Sequence, residues 1–549
     1  MFCYQCEQTF AGKGCEVSGV CGKDPKTALL QDLLVYAVKG IAQYAHRAAF
    51  FKIRDTEVDN FIIQALFATV TNVNFDPRRI ADLISQAVQI RKKIAALYFA
   101  QDPKARPLEK AAAFAVEDSV DAMLQMAERV SILKQEERWG KEWSDLAELI
   151  MYGLKGASSY FHHALVFERR DIHAYEVLCA ALNFLAEEQF SQKNLLDWVF
   201  KTGELNYRAM ELLDRSHVES FGHPQPTEVR ITPRAGKAIL ISGHDLKDLE
   251  ELLQQTQGRA INIYTHGEML PAHGYPMLKK YEHLAGNYGG AWQNQVKEFA
   301  EFPGSILMTT NCLQRPGRIY QDRIFTTGVV GWPNVRHIAD KNFAPLIASS
   351  LEQKGFEKDA DAEFITVGQA RGYVVSSLDR IASLVQSKKI RHFFLIGGCD
   401  GAKLGRNYYT DFAQLVPKDC MILTLACGKY RFNKLDFGKI GEFSRLFDLG
   451  QCNDAYSLIH IARALAAKLH CSIDALPLSF VFSWFEQKAV AILLTLLSLG
   501  IRNIRLGPSL PAFLTPSMLQ LLREKFQMRP ITTPQEDLES MLHSFKSGL

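Results

Sequence analysis

Four cysteines crowd the first 21 residues: Cys3, Cys6, Cys15 and Cys21, separated by two, eight and five residues. Gly12, Gly14, Gly19 and Gly22 lie among and after them, so the loop can turn sharply enough for four thiolates to wrap one metal centre. Zinc also accepts four cysteines, usually as two close pairs with two residues between. Only the first pair here has that form, which favours iron–sulfur over zinc. A second group is spread through the C-terminal half. Cys312, Cys399, Cys427 and Cys452 each follow a short apolar run that reads as a strand, and His244 and Glu268 stand in the same kind of position. Ligands of open α/β sheets bind beyond the carboxyl ends of strands. Taken singly, each cysteine reads as packing, His244 as a core or capping histidine and Glu268 as a solvated acid. Taken together they read as a mixed sulfur–oxygen–nitrogen metal centre. Glu486 and Lys488 open the very apolar helix Ala489–Gly500. An unpaired charge there is costly if buried, so a metal would partner Glu486, and Lys488 could donate a proton or hydrogen bond. A solvated helix N-terminus is the plainer reading of the pair. Cys420, Cys179 and Cys471 are read as structural or core residues.

The elements that must position these groups fall into two textures. From about Lys26 to Glu219 glycine is sparse, and apolar residues recur at helical spacing, as in Glu109–Leu133 and Glu142–Leu165. This stretch predicts an antiparallel helical bundle. After His223-Pro224-Gln225-Pro226, short apolar runs alternate with helical stretches: Lys237–Ser242, Ile261–Thr265, Ser305–Thr310, Phe364–Val367, His392–Ile396, Met421–Leu425, Leu446–Leu449 and Leu478–Phe482. The alternation predicts Rossmann-like units with mainly parallel sheets and crossover helices. The expected organisation is an iron–sulfur loop and helical bundle over 1–222, a first α/β domain over 223–375 and a second over 376–549. An internal repeat supports two copies of one α/β unit. Leu240–Asp245 resembles Leu395–Asp400, His266-Gly267-Glu268 aligns with Cys427-Gly428-Lys429, and Asn311-Cys312 aligns with Gln451-Cys452.

Composition narrows the function. Apolar residues make up 47%, charged residues 22%, and the net charge over 549 residues is +3. Nothing in that balance suggests a nucleic-acid face or an acidic membrane surface. No secretory signal is visible, and the longest apolar run, Ala489–Ile501, is too short to span a bilayer. A cytoplasmic location is expected, where eleven cysteines serve as ligands or core residues rather than disulfides.

These residues together resemble the hybrid-cluster proteins, also called prismane proteins or hydroxylamine reductases. The resemblance runs from Met1 to about residue 540. It is carried by Met1–Thr9 and its continuation through Cys21, Gly243–Leu249, Tyr264–Pro276, Gly397–Gly401, Leu425–Phe432, Gly450–Asp454 and Ser483–Lys488. It implies a helical domain followed by two α/β domains, with a hybrid [4Fe–2O–2S] cluster where the three meet. The implied ligands are His244, Glu268, Cys312, Cys399, Cys427, Cys452 and Glu486, with Lys488 beside them and a persulfide on Cys399. The tight N-terminal spacing resembles members carrying a [4Fe–4S] cluster on Cys3, Cys6, Cys15 and Cys21, rather than the wider-spaced [2Fe–2S] members. The implied reaction is two-electron, two-proton reduction of hydroxylamine to ammonia and water. Cys399 takes part, and Glu268, Lys488 and His266 are candidate proton sources. Alternatives are nitric oxide reduction or protein S-nitrosylation in nitrosative stress, and a non-enzymatic redox sensor. A carbon monoxide dehydrogenase relative is a further reading, against which the two glutamates speak. No GxGxxG or flavin motif is evident, so electrons are expected from a separate NADH-dependent reductase or a ferredoxin.

Overall fold

Side-chain caps set the helices that fill the first 221 residues of the computed structural model, which describes residues 1–544. The Asp24 carboxylate accepts from Thr27 N ahead of Pro25, starting the helix Pro25–Ala49. Asp55 and Asp76 start Thr56–Ala68 and Pro77–Gln101 in the same way. Ser191 and Asn194 form a reciprocal capping box ahead of Gln192–Phe221. The helix expected over Glu142–Leu165 runs from Lys141 to Val166. Glu109–Leu133 does not form one helix: it breaks into Lys110–Ala113, Val120–Val130 and Ile132–Trp139. Ser119 caps the second piece and Ser131 sits in extended backbone between the second and third, so local hydroxyl and backbone geometry override the apolar periodicity.

Two six-stranded parallel sheets follow. The first runs across in the order Leu284–Asn287, Ile261–His266, Lys237–Ser242, Ser305–Met308, Ile324–Thr327, Arg336–Ile338. The second runs Leu446–Asp448, Cys420–Thr424, His392–Gly398, Leu478–Ser483, Ile504–Gly507, Arg529–Pro530. Counting strands along the chain within each sheet, both have the order three-two-one-four-five-six of a doubly wound dinucleotide-type fold. The repeat is therefore structural, but only two of its three sequence matches are equivalent. Leu240–Asp245 and Leu395–Asp400 leave first strands, and His266–Glu268 and Cys427–Lys429 leave second strands. Cys312 follows a fourth strand and Cys452 a third; the topological counterpart of Cys312 is Glu486. Phe364–Val367 is a strand, but it pairs antiparallel with Thr227–Arg230 outside both sheets. Cys420 is the first residue of its strand rather than preceding it.

The helical region and the second sheet share one element. The helix Gln487–Ser498, which follows strand Leu478–Ser483, packs against both Lys141–Val166 and Gln192–Phe221. Glycine makes the approach possible: a Cβ on Gly156 would meet Gln487 O at 2.5 Å, and one on Gly203 would meet Leu494 O at 2.2 Å. No helix among the described residues is long and apolar enough to cross a membrane.

Candidate metal centre

A glycine at positive φ stands at the end of each first strand, Gly243 (116°) just past Ser242 and Gly398 (103°) as the last strand residue, and the chain turns there to present His244 and Cys399. Thr310 orients His244. Its Oγ1 accepts from His244 N at 2.9 Å, lies 2.8 Å from His244 Nδ1 and donates to Asn311 O at 3.1 Å. With the hydroxyl proton spent on Asn311, Nδ1 carries the imidazole hydrogen and Nε2 presents a bare lone pair, as a metal-ligating histidine requires. That Nε2 faces Glu268 Oε2 at 3.8 Å. Glu268 Oε2 accepts from Cys452 N at 2.7 Å, while Oε1 is buried without a hydrogen-bond partner. Donor atoms of His244, Glu268 and Cys452 lie within 4.8 Å of one another, close enough for one ion.

The remaining candidates close around this trio. Cys312, Cys399 and Cys427 pack in one cluster with Phe485 and Trp292. Asp400 N donates to Cys427 Sγ at 3.2 Å, and Cys399 N to Ser483 O at 3.0 Å. Glu486 caps its helix, accepting from Lys488 N at 2.8 Å, and its other oxygen lies 3.4 Å from Asn311 Nδ2. It is 2% exposed and Lys488 is 0% exposed, so this helix start is not solvated. Burial pushes the thiols of Cys312, Cys427 and Cys452 well up and that of Cys399 to about 12, and it raises the carboxyls of Glu268 and Glu486. Burial works against the Lys488 ammonium, but Cys452, Glu486, Cys312 and Glu268 hold it above the usual lysine range. Four thiols and two carboxyls in so dry a place ionise together only if cations compensate them, and Glu268 Oε1 has no protein partner to do so. The donor set fits a metal group of mixed sulfur, oxygen and nitrogen coordination.

The N-terminal loop is a second constellation. Cys3 and Cys15 bridge as a short antiparallel pair, N to O at 3.1 and 2.8 Å, and Phe10 N donates to Cys15 Sγ at 3.4 Å. Burial raises the Cys6 thiol, and the nearby Cys21 and Cys3 raise it further. Burial also raises Cys21, with Lys23 opposing and Cys3 and Cys15 adding to the rise. All four sulfurs therefore act within one neighbourhood, beside the buried Lys23, whose Nζ donates to Gln31 Oε1 at 2.6 Å. The loop is bolted to the first constellation. Glu7 N donates to Phe485 O, and Gln487 Nε2 to Gln5 O, both at 2.9 Å. Arg406 reaches Cys399 O at 2.9 Å, Trp484 O at 3.0 Å and Glu7 Oε2 at 3.2 Å. Cys6 itself packs in the cluster that holds Cys312, Cys399 and Cys427.

His266, a candidate proton source, has both ring nitrogens engaged: Nδ1 lies 2.9 Å from Ser242 Oγ and Nε2 2.9 Å from Glu298 Oε2. Cys179 and Cys420 are buried in core positions and Cys471 is half-buried, all free thiols. Sequence reasoning missed Thr310 and Arg406, whose roles come from partners far away in the chain. It also missed Tyr160 and His163, three residues apart on one helical face of Lys141–Val166 that borders the site. The only signal was the adjacent pair His162-His163 near the end of a helix that is almost wholly buried.

The sequence profile of the Prismane/CO dehydrogenase family matches residues 1–539. A protein named hydroxylamine reductase from Syntrophobacter fumaroxidans is 52% identical over 99% of this chain and 100% of its own. Proteins of the same name from Methanocella arvoryzae and Thermodesulfovibrio yellowstonii are 49% and 50% identical at the same coverage. Among solved structures, carbon monoxide dehydrogenase IV from Carboxydothermus hydrogenoformans is similar with TM-score 0.58 and 13% identity, covering 97% of this chain and 90% of that one. The carbon monoxide dehydrogenase of Thermococcus sp. AM4, in an as-isolated Ni-free form, gives TM-score 0.57 at 14% identity, covering 99% and 90%.

Proposed function

Since the chain belongs to the Prismane/CO dehydrogenase family, we propose that it is an iron–sulfur oxidoreductase that reduces hydroxylamine to ammonia and water. The observation that carries this reading is the convergence of His244, Glu268, Glu486 and four cysteine thiols in one dry site beside the unpartnered Lys488 ammonium. Relatives at about half identity over their full length bear the name hydroxylamine reductase. In this reading His244, Glu268, Cys312, Cys399, Cys427, Cys452 and Glu486 hold a hybrid iron–sulfur–oxygen cluster, and Cys3, Cys6, Cys15 and Cys21 hold a [4Fe–4S] cluster. The hybrid group, when bound, supplies electrons and a Lewis-acidic iron for N–O cleavage.

The chain's own residues do the rest. One hydroxylamine takes two electrons and two protons, the N–O bond breaks, and ammonia and water leave. Lys488 holds a proton at Nζ in the protein interior, and the burial-raised carboxyl of Glu268 can carry another on the oxygen that has no partner. Trp292 and Phe485, with ring centroids 4.3 Å apart, exclude water from one side of the thiols. The N-terminal loop, tied through Glu7, Gln5 and Arg406, is set to receive electrons from a separate NADH-dependent reductase or ferredoxin. Eleven free thiols suit a reducing cytoplasm.

A second substrate has a specific observation behind it. Leu425, Leu458, Phe482, Trp484, Ile492 and Leu493 line an apolar cavity that opens beside Cys399 and Cys452. Nitric oxide, small and nonpolar, partitions into such a space. Anaerobic turnover with reduced viologen, run on hydroxylamine and on nitric oxide, tests both. Cys399→Ala is expected to abolish hydroxylamine turnover while the spectrum of the N-terminal cluster persists. Full activity in that variant, or a colourless zinc protein, defeats the reading.

A further inference from the structure

The candidate ligands all come from the two α/β units, yet one helix of the N-terminal region also reaches the site. Lys141–Val166 is pressed against the segment that carries Glu486 and Lys488, because Gly156 leaves no gap at Gln487 O. One turn further, Tyr160 Oη lies 3.5 Å from Cys452 O. Three residues on, His163 is 1% exposed and its ring centroid is 6.3 Å from that of His244. His163 Nε2 is buried with no hydrogen-bond partner, as is Lys488 Nζ. A buried imidazole nitrogen left unmatched carries a desolvation cost that a guest can relieve. Two such orphans bordering one donor set are suited to a small polar guest.

We propose that His163 is a substrate-binding residue of this site, hydrogen-bonding hydroxylamine through Nε2 and so favouring it over nitric oxide. The inference rests on the hydroxylamine reductase reading above. Hydroxylamine offers O–H and N–H donors together with lone pairs, so it satisfies Nε2 in either tautomer. Nitric oxide has no hydrogen to donate and accepts only weakly. A site built to hydrogen-bond a hydroxyl discriminates against a guest that lacks one, because the site's own polar atom is then left unpaired. His163 thus sets specificity without being a ligand, and the helical region contributes to the chemistry directly.

The test uses the full-length, cluster-loaded protein, reduced and anaerobic, titrated separately with hydroxylamine and nitric oxide while the EPR spectrum is followed. His163→Leu is expected to weaken hydroxylamine binding about tenfold and leave nitric oxide binding unchanged, with KM for hydroxylamine rising in step. His163→Gln, which returns an amide near the Nε2 position, should restore most of the loss. Iron content is measured in every sample. Equal weakening toward both guests, unchanged affinity for hydroxylamine, or loss of iron from both variants overturns the assignment in favour of a structural histidine. If the unaltered protein itself shows no spectral response to hydroxylamine, the functional reading fails and the inference falls with it.

Discussion

At the scale of single residues, the site is fixed by side chains that do not themselves reach its centre. Thr310 is the clearest case: one hydroxyl accepts from the backbone N of His244, lies 2.8 Å from its Nδ1, and gives its own proton to Asn311 O. Thr310→Val keeps the shape but removes the hydroxyl that holds Nδ1 and the backbone N, leaving only the Asn311 carbonyl to orient the ring. Partners that orient a metal-ligating histidine are worth roughly ten- to a hundredfold in metal affinity. The variant should therefore lose iron to a competing chelator about tenfold or more faster, with little change in the N-terminal cluster's absorbance. Retention equal to that of the unaltered protein would mean that His244 is not a ligand. Little of this was legible in the sequence. His244, Glu268 and the four C-terminal cysteines stood out because each follows an apolar run, and the structure puts each just past a strand. Thr310, Arg406 and His163 carry no local mark, since their meaning lies in partners 66, 399 and 81 residues distant.

Among the elements, strands were easier to foresee than their neighbours. Runs such as Ile261–Thr265 and His392–Ile396 are dense in β-branched and aromatic residues, and they form interior strands of their sheets. Ile324–Thr327 and Ile504–Gly507 give no such signal, since each is four residues long, the first lies between Arg323 and Gly328, and the second contains Arg505 and Gly507. The helix Gln487–Ser498 was read as buried, but what buries it could not be read. That depends on Gly153, Gly156 and Gly203, three glycines in helices that local propensity would rather see as alanine. Gly156→Val would force a branched side chain onto the Gln487 carbonyl and the Ala491 methyl, which a Cβ alone already meets at 2.5 and 2.6 Å. Overpacking of this kind costs about 1–3 kcal/mol, and here the strain falls one residue from Glu486 and one from Lys488. A lower melting temperature with sharply reduced iron content is expected, measured by differential scanning fluorimetry and iron analysis. Normal iron content in a destabilised Gly156→Val protein would show that the helix contact supports stability alone.

Across the whole molecule, one small volume joins segments that are otherwise far apart. The N-terminal loop meets Phe485 and Gln487, the first sheet sends Gly243–Asp245 and Asn311-Cys312, the second sends Cys399, Cys427 and Cys452, and the helical region adds Tyr160 and His163. Several polar atoms at that junction, Glu268 Oε1 and Lys488 Nζ among them, lack protein partners. The outer helices, by contrast, are capped and packed into an extensive apolar core. A metal group bound there would thus act as a shared keystone: it binds the assembled junction and not the unfolded chain, so its binding energy adds to stability. Stripping iron anaerobically should lower the melting temperature by roughly 5 °C or more, since each kcal/mol lost is worth about 2–4 °C in domains of this size. The sharper expectation is spatial. Backbone hydrogen exchange should quicken together in residues 1–22, 243–245, 450–453 and 484–488, whereas Pro25–Ala49 and Pro77–Gln101 keep their protection. Opening confined to one of those four segments would mean that bound metal does not hold them together. Uniform loss of protection would mean that the metal holds up the fold as a whole rather than the place where its parts meet.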